Sequence, residues 1–271
     1  MARALRKIER GLFPRGIMDA VLQISLFGAC YLGYQVVRGQ ADGAAATAFW
    51  NATKVINLEN SLNIFVEPTV QGWARGNRFV IGFADWMYLN SHYIVTFGAL
   101  LFIYMRRNSS FYFVRNMFMA AMGIALVGYA LYPTAPPRLM PEWGFSDTIA
   151  LATGIRVDNE QASALLNLYA AVPSMHVCFA LMIGGSMRAL VPQRWQRRAW
   201  LVYPLLVTWV VVVTGNHYLI DAILGALTAA IAWLIARRLG ALRDGWRFHP
   251  STETVERSNR GRKEIQPEAA A

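Results

Sequence analysis

The stretch "AAVPSMHVCFALMIGGSM" (Ala170–Met187) decides how this chain folds. Its body is apolar and uncharged, yet its head sets Pro173, Ser174 and His176 within four residues. It is the later part of an uncharged run, Gln161–Met187. Comparable runs lie at Ala20–Val37, Trp86–Met105, Asn116–Pro137 and Ala199–Ile220, and a sixth, His217–Ala236, is broken only by Asp221. Each is about long enough to cross the ~30 Å hydrocarbon core of a bilayer as a helix, which takes roughly 20 residues. Of the 271 residues, 55% are hydrophobic and only 15% charged, so a soluble fold would have to bury several helices that are apolar all round. The expected fold is all-α: a polytopic membrane protein with a six-transmembrane-helix bundle.

Charge placement predicts the topology. Of the 26 Lys and Arg, 20 fall before the first run, after the last, and in alternate connections between them. The positive-inside rule then puts both termini in the cytoplasm and predicts a multi-pass plasma-membrane protein. The net charge of +10 does not mark a nucleic-acid protein, because the basic residues are dispersed among short loops. The basic leader "MARALRKIER" fits a signal peptide, but the apolar run that follows is long for one and has no A-x-A site, so an uncleaved first helix is expected. Cys30 and Cys178 both lie inside apolar runs and imply packing rather than a disulfide framework.

The chain is expected to divide into a basic cytoplasmic N-terminus (1–16), a six-helix membrane domain (17–238) and a polar cytoplasmic tail (239–271) without fixed structure. Between the first two helices, residues 38–85 have spaced apolar positions that predict interfacial helices rather than another span.

Two histidines are expected near the extracytoplasmic face: His176 at the start of helix 4, and His217 at the turn from helix 5 to helix 6. Asp221 follows His217 by four residues, so the pair would share a helical face. A carboxylate in an apolar helix needs a partner. An imidazole held by it has one ring nitrogen fixed and the other free to attack. The same residues also suit a polar helix-end pair that only packs helices, a metal site of two His and one Asp, or the proton relay of a transporter. Pro173 and Ser174 favour a helix start, where free N–H groups can receive a phosphate oxygen. In "YPTAPPRL" (Tyr132–Leu139) the prolines build a stiff connector, and Arg138 emerges from it as a fork suited to phosphate. His92 has no partner visible in sequence, and His249 lies in the tail.

"PSMH" followed by "HYLID" resembles the second and third motifs of the type 2 phosphatidic acid phosphatase superfamily, commonly P-S-G-H and H-x-x-x-D. The wider context, "YPTAPPRL…NLYAAVPSMHV…VVTGNHYLIDAILG", looks more like its inositolphosphotransferase branch, which includes inositol phosphorylceramide synthase; "ENSLNIFVEP" (Glu59–Pro68) adds weaker support. The resemblance implies a metal-independent double displacement that needs no cofactor. His217 would be the nucleophile, Asp221 its orienting group and His176 the acid, with Ser174 and Arg138 left as candidate phosphate ligands. The substrate would be a phospholipid or polyprenyl phosphate, and the acceptor a lipid or alcohol for a transferase, water for a phosphatase. The phosphatase motif K-x6-R-P is absent, the only lysines being Lys7, Lys54 and Lys263. Val211 stands where phosphatase members carry Arg, and Met175 replaces the common Gly. These departures favour the transferase-like branch.

Overall fold

An apolar chain in lipid must satisfy its backbone internally, as helices or as a closed barrel. The computed structural model describes residues 11–41, 45–154 and 169–251, and among them it is all-helical, without a strand. The helices are α1 (Ile17–Ala41), α2 (Ala45–Ser61), α3 (Glu67–Arg75), α4 (Arg78–Trp86), α5 (His92–Arg106), α6 (Asn108–Leu131), α7 (Thr148–Thr153), α8 (Met175–Leu190), α9 (Arg194–Val213) and α10 (Leu219–Leu242).

A π-helical turn, Met87–Ser91, joins α4 to α5 into one helix, Arg78–Arg106. The second apolar run thus gains a polar-headed extension and starts at Arg78 rather than Trp86, with Asn77 accepting the N–H groups of Phe79 and Val80. Of the 38–85 segment only α2 and α3 are therefore separate helices. Among the described residues three helices are long and apolar enough to cross a membrane: Arg78–Arg106, Asn108–Leu131 and Leu219–Leu242. Helix α1 is apolar over Ile17–Cys30, Met175–Leu190 is apolar but shorter, and α9 opens on the charged turn Arg194–Arg198. The chain is a membrane protein by this apolarity and by its exterior. Leu131, Leu205, Ile223 and Phe97 all point outward with no protein to cover them.

Helix α8 is central, packing on α5, α6, α9 and α10, and α6 packs in turn on α1 and α10. The core includes Phe118, Ile103, Met182, Ile183 and Leu190. Two glycines set helix separations. A Cβ on Gly184 would stand 2.7 Å from the Trp200 carbonyl oxygen and 2.9 Å from Pro204 Cγ, so α8 and α9 touch backbone to backbone there. A Cβ on Gly225 would collide with the Ser174 carbonyl, so α10 presses against the entry to α8.

Loops and short helices gather at the end where α8 and α10 begin. Ala135 N–H donates to Ala48 O (3.1 Å), Asn51 Nδ2 to Pro133 O (2.9 Å), and the Gln71 amide clasps the Ser146 backbone from both sides (2.9 and 3.0 Å). At the opposite end Asp19 of α1 accepts from Tyr104 and Tyr112, and Arg115 bonds Gln23 and Asn116. Of the polar tail expected from 239 on, Leu239–Leu242 complete α10. The next residues fold back: His249 N–H meets Ser110 Oγ (2.9 Å) and Ser251 N–H meets Ala189 O (3.1 Å). The expected disorder of the remainder concerns residues outside those described.

Gly184→Leu should cost about 1–3 kcal/mol of stability by overpacking, seen as a lower midpoint of thermal unfolding in detergent. Gly185→Leu, which meets open space, should leave the midpoint nearly unchanged.

Candidate active site

Any helix begins with N–H groups that its own turn cannot satisfy. In α10 three carboxylates meet them. Asp221 Oδ2 accepts the Tyr218 N–H (3.0 Å), Glu67 Oε1 the Leu219 N–H (2.9 Å) and Glu59 Oε1 the Ile220 N–H (2.8 Å). Asp221, Glu59 and Glu67 are all fully buried. Burial, and next the neighbouring Glu67 carboxyl, push the Glu59 carboxyl up to about 9, so Glu59 is protonated at neutral pH.

The turn before α10 needs Gly215, whose φ of 65° lies in the left-handed region. Its carbonyl accepts the Arg138 N–H (2.7 Å), which ties the proline connector to the turn. The turn delivers a buried His217 whose Nδ1 lies 3.0 Å from Ala171 O and 3.4 Å from Asp221 Oδ2. A carbonyl can only accept, so Nδ1 carries a hydrogen, and in the neutral imidazole Nε2 is the nitrogen with the lone pair. The expected pairing of His217 with Asp221 is present, but not as two residues of one helical face. His217 precedes the helix, and Asp221 reaches back from its first turn.

Ser174 caps α8, its Oγ accepting weakly from Val177 N–H at 3.5 Å, while its own N–H donates to Asp221 O (3.0 Å). His176, two residues on, is partly exposed and its ring centroid lies 5.6 Å from that of His217. Tyr88 stacks on His176 at 4.6 Å. The structure therefore brings His176, His217, Asp221 and Ser174 together. Arg138 is adjacent through its backbone, but its guanidinium pairs with Asp147 at 2.9 Å and its side chain is 8% exposed. Its Nε is buried without a partner, so one donor remains uncommitted among the described residues. Val211 is fully buried beside Val177, Ala180, Val207 and Ala222, an apolar setting for the position where phosphatase members have Arg. Among the described residues no group of three or more His, Cys, Asp and Glu is arranged to hold a metal ion.

Sequence reasoning missed three residues here. Glu59 and Glu67 reach α10 from about 150 positions away, and only their place within "ENSLNIFVEP" hinted at a role. His92 lies at the π-turn, with its ring 4.5 Å from His176 and stacked on Phe179 at 5.5 Å.

Comparison with known proteins gives a family match and a named relative. A family model described as the PAP2 superfamily matches residues 53–235. A protein of Bacteroides thetaiotaomicron named phosphoinositol dihydroceramide synthase is 24% identical over 249 residues, covering 83% of this chain and 78% of its own. No solved structure matches significantly.

The proton on Glu59 has a consequence in pH. The folded chain binds it more tightly than the unfolded chain, so its stabilisation is complete below the ordinary carboxylate range and is lost as pH rises through about 9. Thermal stability should fall as pH approaches 9, and Glu59→Gln, which keeps an acceptor for Ile220 and a donor for Glu67, should flatten that fall. Glu59→Ala should lose about 1 kcal/mol at neutral pH, as for a deleted helix cap.

Proposed function

The chain belongs to the PAP2 superfamily, and from that premise we propose that it is a membrane-embedded lipid phosphotransferase working through a phosphohistidine on His217. The observation that carries the reading is the state of His217. Nδ1 is engaged by the Ala171 carbonyl and Asp221, Nε2 makes no hydrogen bond among the described residues, and the His176 ring centroid lies 5.6 Å from that of His217. In the first half-reaction the Nε2 lone pair attacks the phosphorus of a phosphorylated lipid. The bond from phosphorus to the leaving oxygen breaks, and that oxygen takes a proton from His176. The Ala171 carbonyl and the Asp221 carboxylate stabilise the imidazole as it gains positive charge, as the buried acid does in a Ser-His-Asp triad. In the second half-reaction an acceptor hydroxyl gives its proton to His176 and attacks phosphorus. The phosphorus–nitrogen bond breaks and His217 returns neutral.

A lipid alcohol is the preferred acceptor. The Lys/Arg cradle of the phosphatase pattern is missing, Val211 sits in an apolar cluster, and the Bacteroides relative carries the name of a synthase joining phosphoinositol and dihydroceramide. Hydrolysis would follow the same first half with water in place of the alcohol. The distribution of Lys and Arg supports six spans in the plasma membrane, cytoplasmic termini and a site at the extracytoplasmic face. There a laterally diffusing lipid can present its phosphate where helix ends meet.

The test is phosphate release and headgroup transfer from a panel of labelled phospholipids and polyprenyl phosphates, with purified protein in chelator. Activity should survive chelation, vanish in His217→Ala, and drop by on the order of 10²–10⁴ in Asp221→Asn. Activity that persists in His217→Ala would overturn the mechanism, and activity abolished by chelator would favour a metal site.

A further inference from the structure

A phosphate entering a site walled by apolar helices must find hydrogen-bond donors there, because an unmatched charge in such a setting is costly. This site has few conventional ones. Of the chain's three lysines only Lys54 lies among the described residues, and its ammonium stands over the Trp50 ring of α2. The Arg of the phosphatase pattern is a buried valine, and the Arg138 guanidinium is spent largely on Asp147.

His92 stands in the gap. It opens α5 directly after the π-turn Met87–Ser91, a distortion frequent at functional sites. Its ring bridges two residues of α8, lying 4.5 Å from His176 at 49° and 5.5 Å from Phe179 at 9°. His92, His176 and His217 thus form a row of imidazoles, with His176 between the other two. Among the described residues the His92 ring makes no hydrogen bond, and its Nδ1 is buried. A residue needed only to stack on Phe179 would be better as phenylalanine, which buries no unpaired nitrogen. An orphaned buried polar atom calls for a functional account.

We infer that His92 is a substrate-binding residue. Its imidazole donates a hydrogen bond to a non-bridging oxygen of the lipid phosphate held beside His176 and His217, in place of the missing Lys/Arg cradle. The inference rests on the phosphotransferase reading above, and its test separates the two. The probe is orthovanadate, a phosphate mimic whose affinity for the purified protein is measured directly, together with KM for whichever labelled lipid is turned over.

His92→Phe keeps the ring and the stack but removes both nitrogens. It should weaken orthovanadate binding and raise KM by about tenfold or more, the usual consequence of losing a hydrogen bond to a charged group. The change in kcat should be smaller, and the thermal midpoint should not fall. His92→Gln, which restores an N–H donor, should recover part of the loss. Wild-type affinity and KM in His92→Phe would overturn the inference, as would a lowered thermal midpoint with no recovery in His92→Gln. His176→Ala and His217→Ala are assayed alongside. If both remain active the phosphotransferase reading fails. If both are inactive while His92→Phe behaves as wild type, only the role of His92 fails.

Discussion

The site end of this molecule depends on how the first N–H groups of α10 are satisfied. Asp221, Glu67 and Glu59 each accept one of them, and each comes from a different place. One lies in the helix itself, one begins α3 and one ends α2. The two short helices before the second apolar run are therefore the buttress of the helix that follows His217, rather than a covering for the membrane surface alone. The same Asp221 oxygen that holds Tyr218 N–H lies 3.4 Å from His217 Nδ1, and the Asp221 carbonyl receives Ser174 N–H. Capping, the orientation of His217 and the entry to α8 are thus one connected set of bonds. Gly225 lets α10 approach closely enough for the last of them.

Charge is handled sparingly at this end. Carboxylates that would repel one another are kept compatible by a proton held on Glu59, and helix N-termini favour the negative charge that remains. Arg138 is neutralised by Asp147, which itself caps α7 through Ala150 N–H at 3.0 Å. What stands nearest the His217 ring on α8 is the imidazole of His176. Imidazole can change its proton as a reaction proceeds, whereas a guanidinium cannot. That would suit the proposed mechanism, in which one histidine is covalently modified and a second alternates between acid and base.

Much of the fold was legible because membrane helices declare themselves over long apolar runs. Each of the six runs contains a described helix, but the boundaries differ: Arg78 rather than Trp86 begins the second, since an Asn cap and a π-turn carry the helix past the apolar boundary, and within Gln161–Met187 the described helix starts only at Met175. His176, His217 and Asp221 were legible because short-range motifs place them. Glu59, Glu67 and His92 were not, because their partners lie far away in sequence and no local pattern encodes a long-range cap or a ring stacked on another helix. Arg138 shows the converse. Its position beside the turn followed from the proline connector, but its pairing with Asp147 depends on a loop whose path the sequence does not announce.

The central claim is that His217 becomes covalently modified. The direct measurement is to quench the purified protein with labelled lipid substrate under alkaline conditions that preserve phosphorus–nitrogen bonds, then map the adduct by mass spectrometry. The account predicts a phosphoryl or phospho-headgroup adduct on His217, absent in His217→Ala and accumulating when the acceptor is withheld. Turnover in the same preparation without an adduct on His217, or with the adduct on another residue, would contradict it.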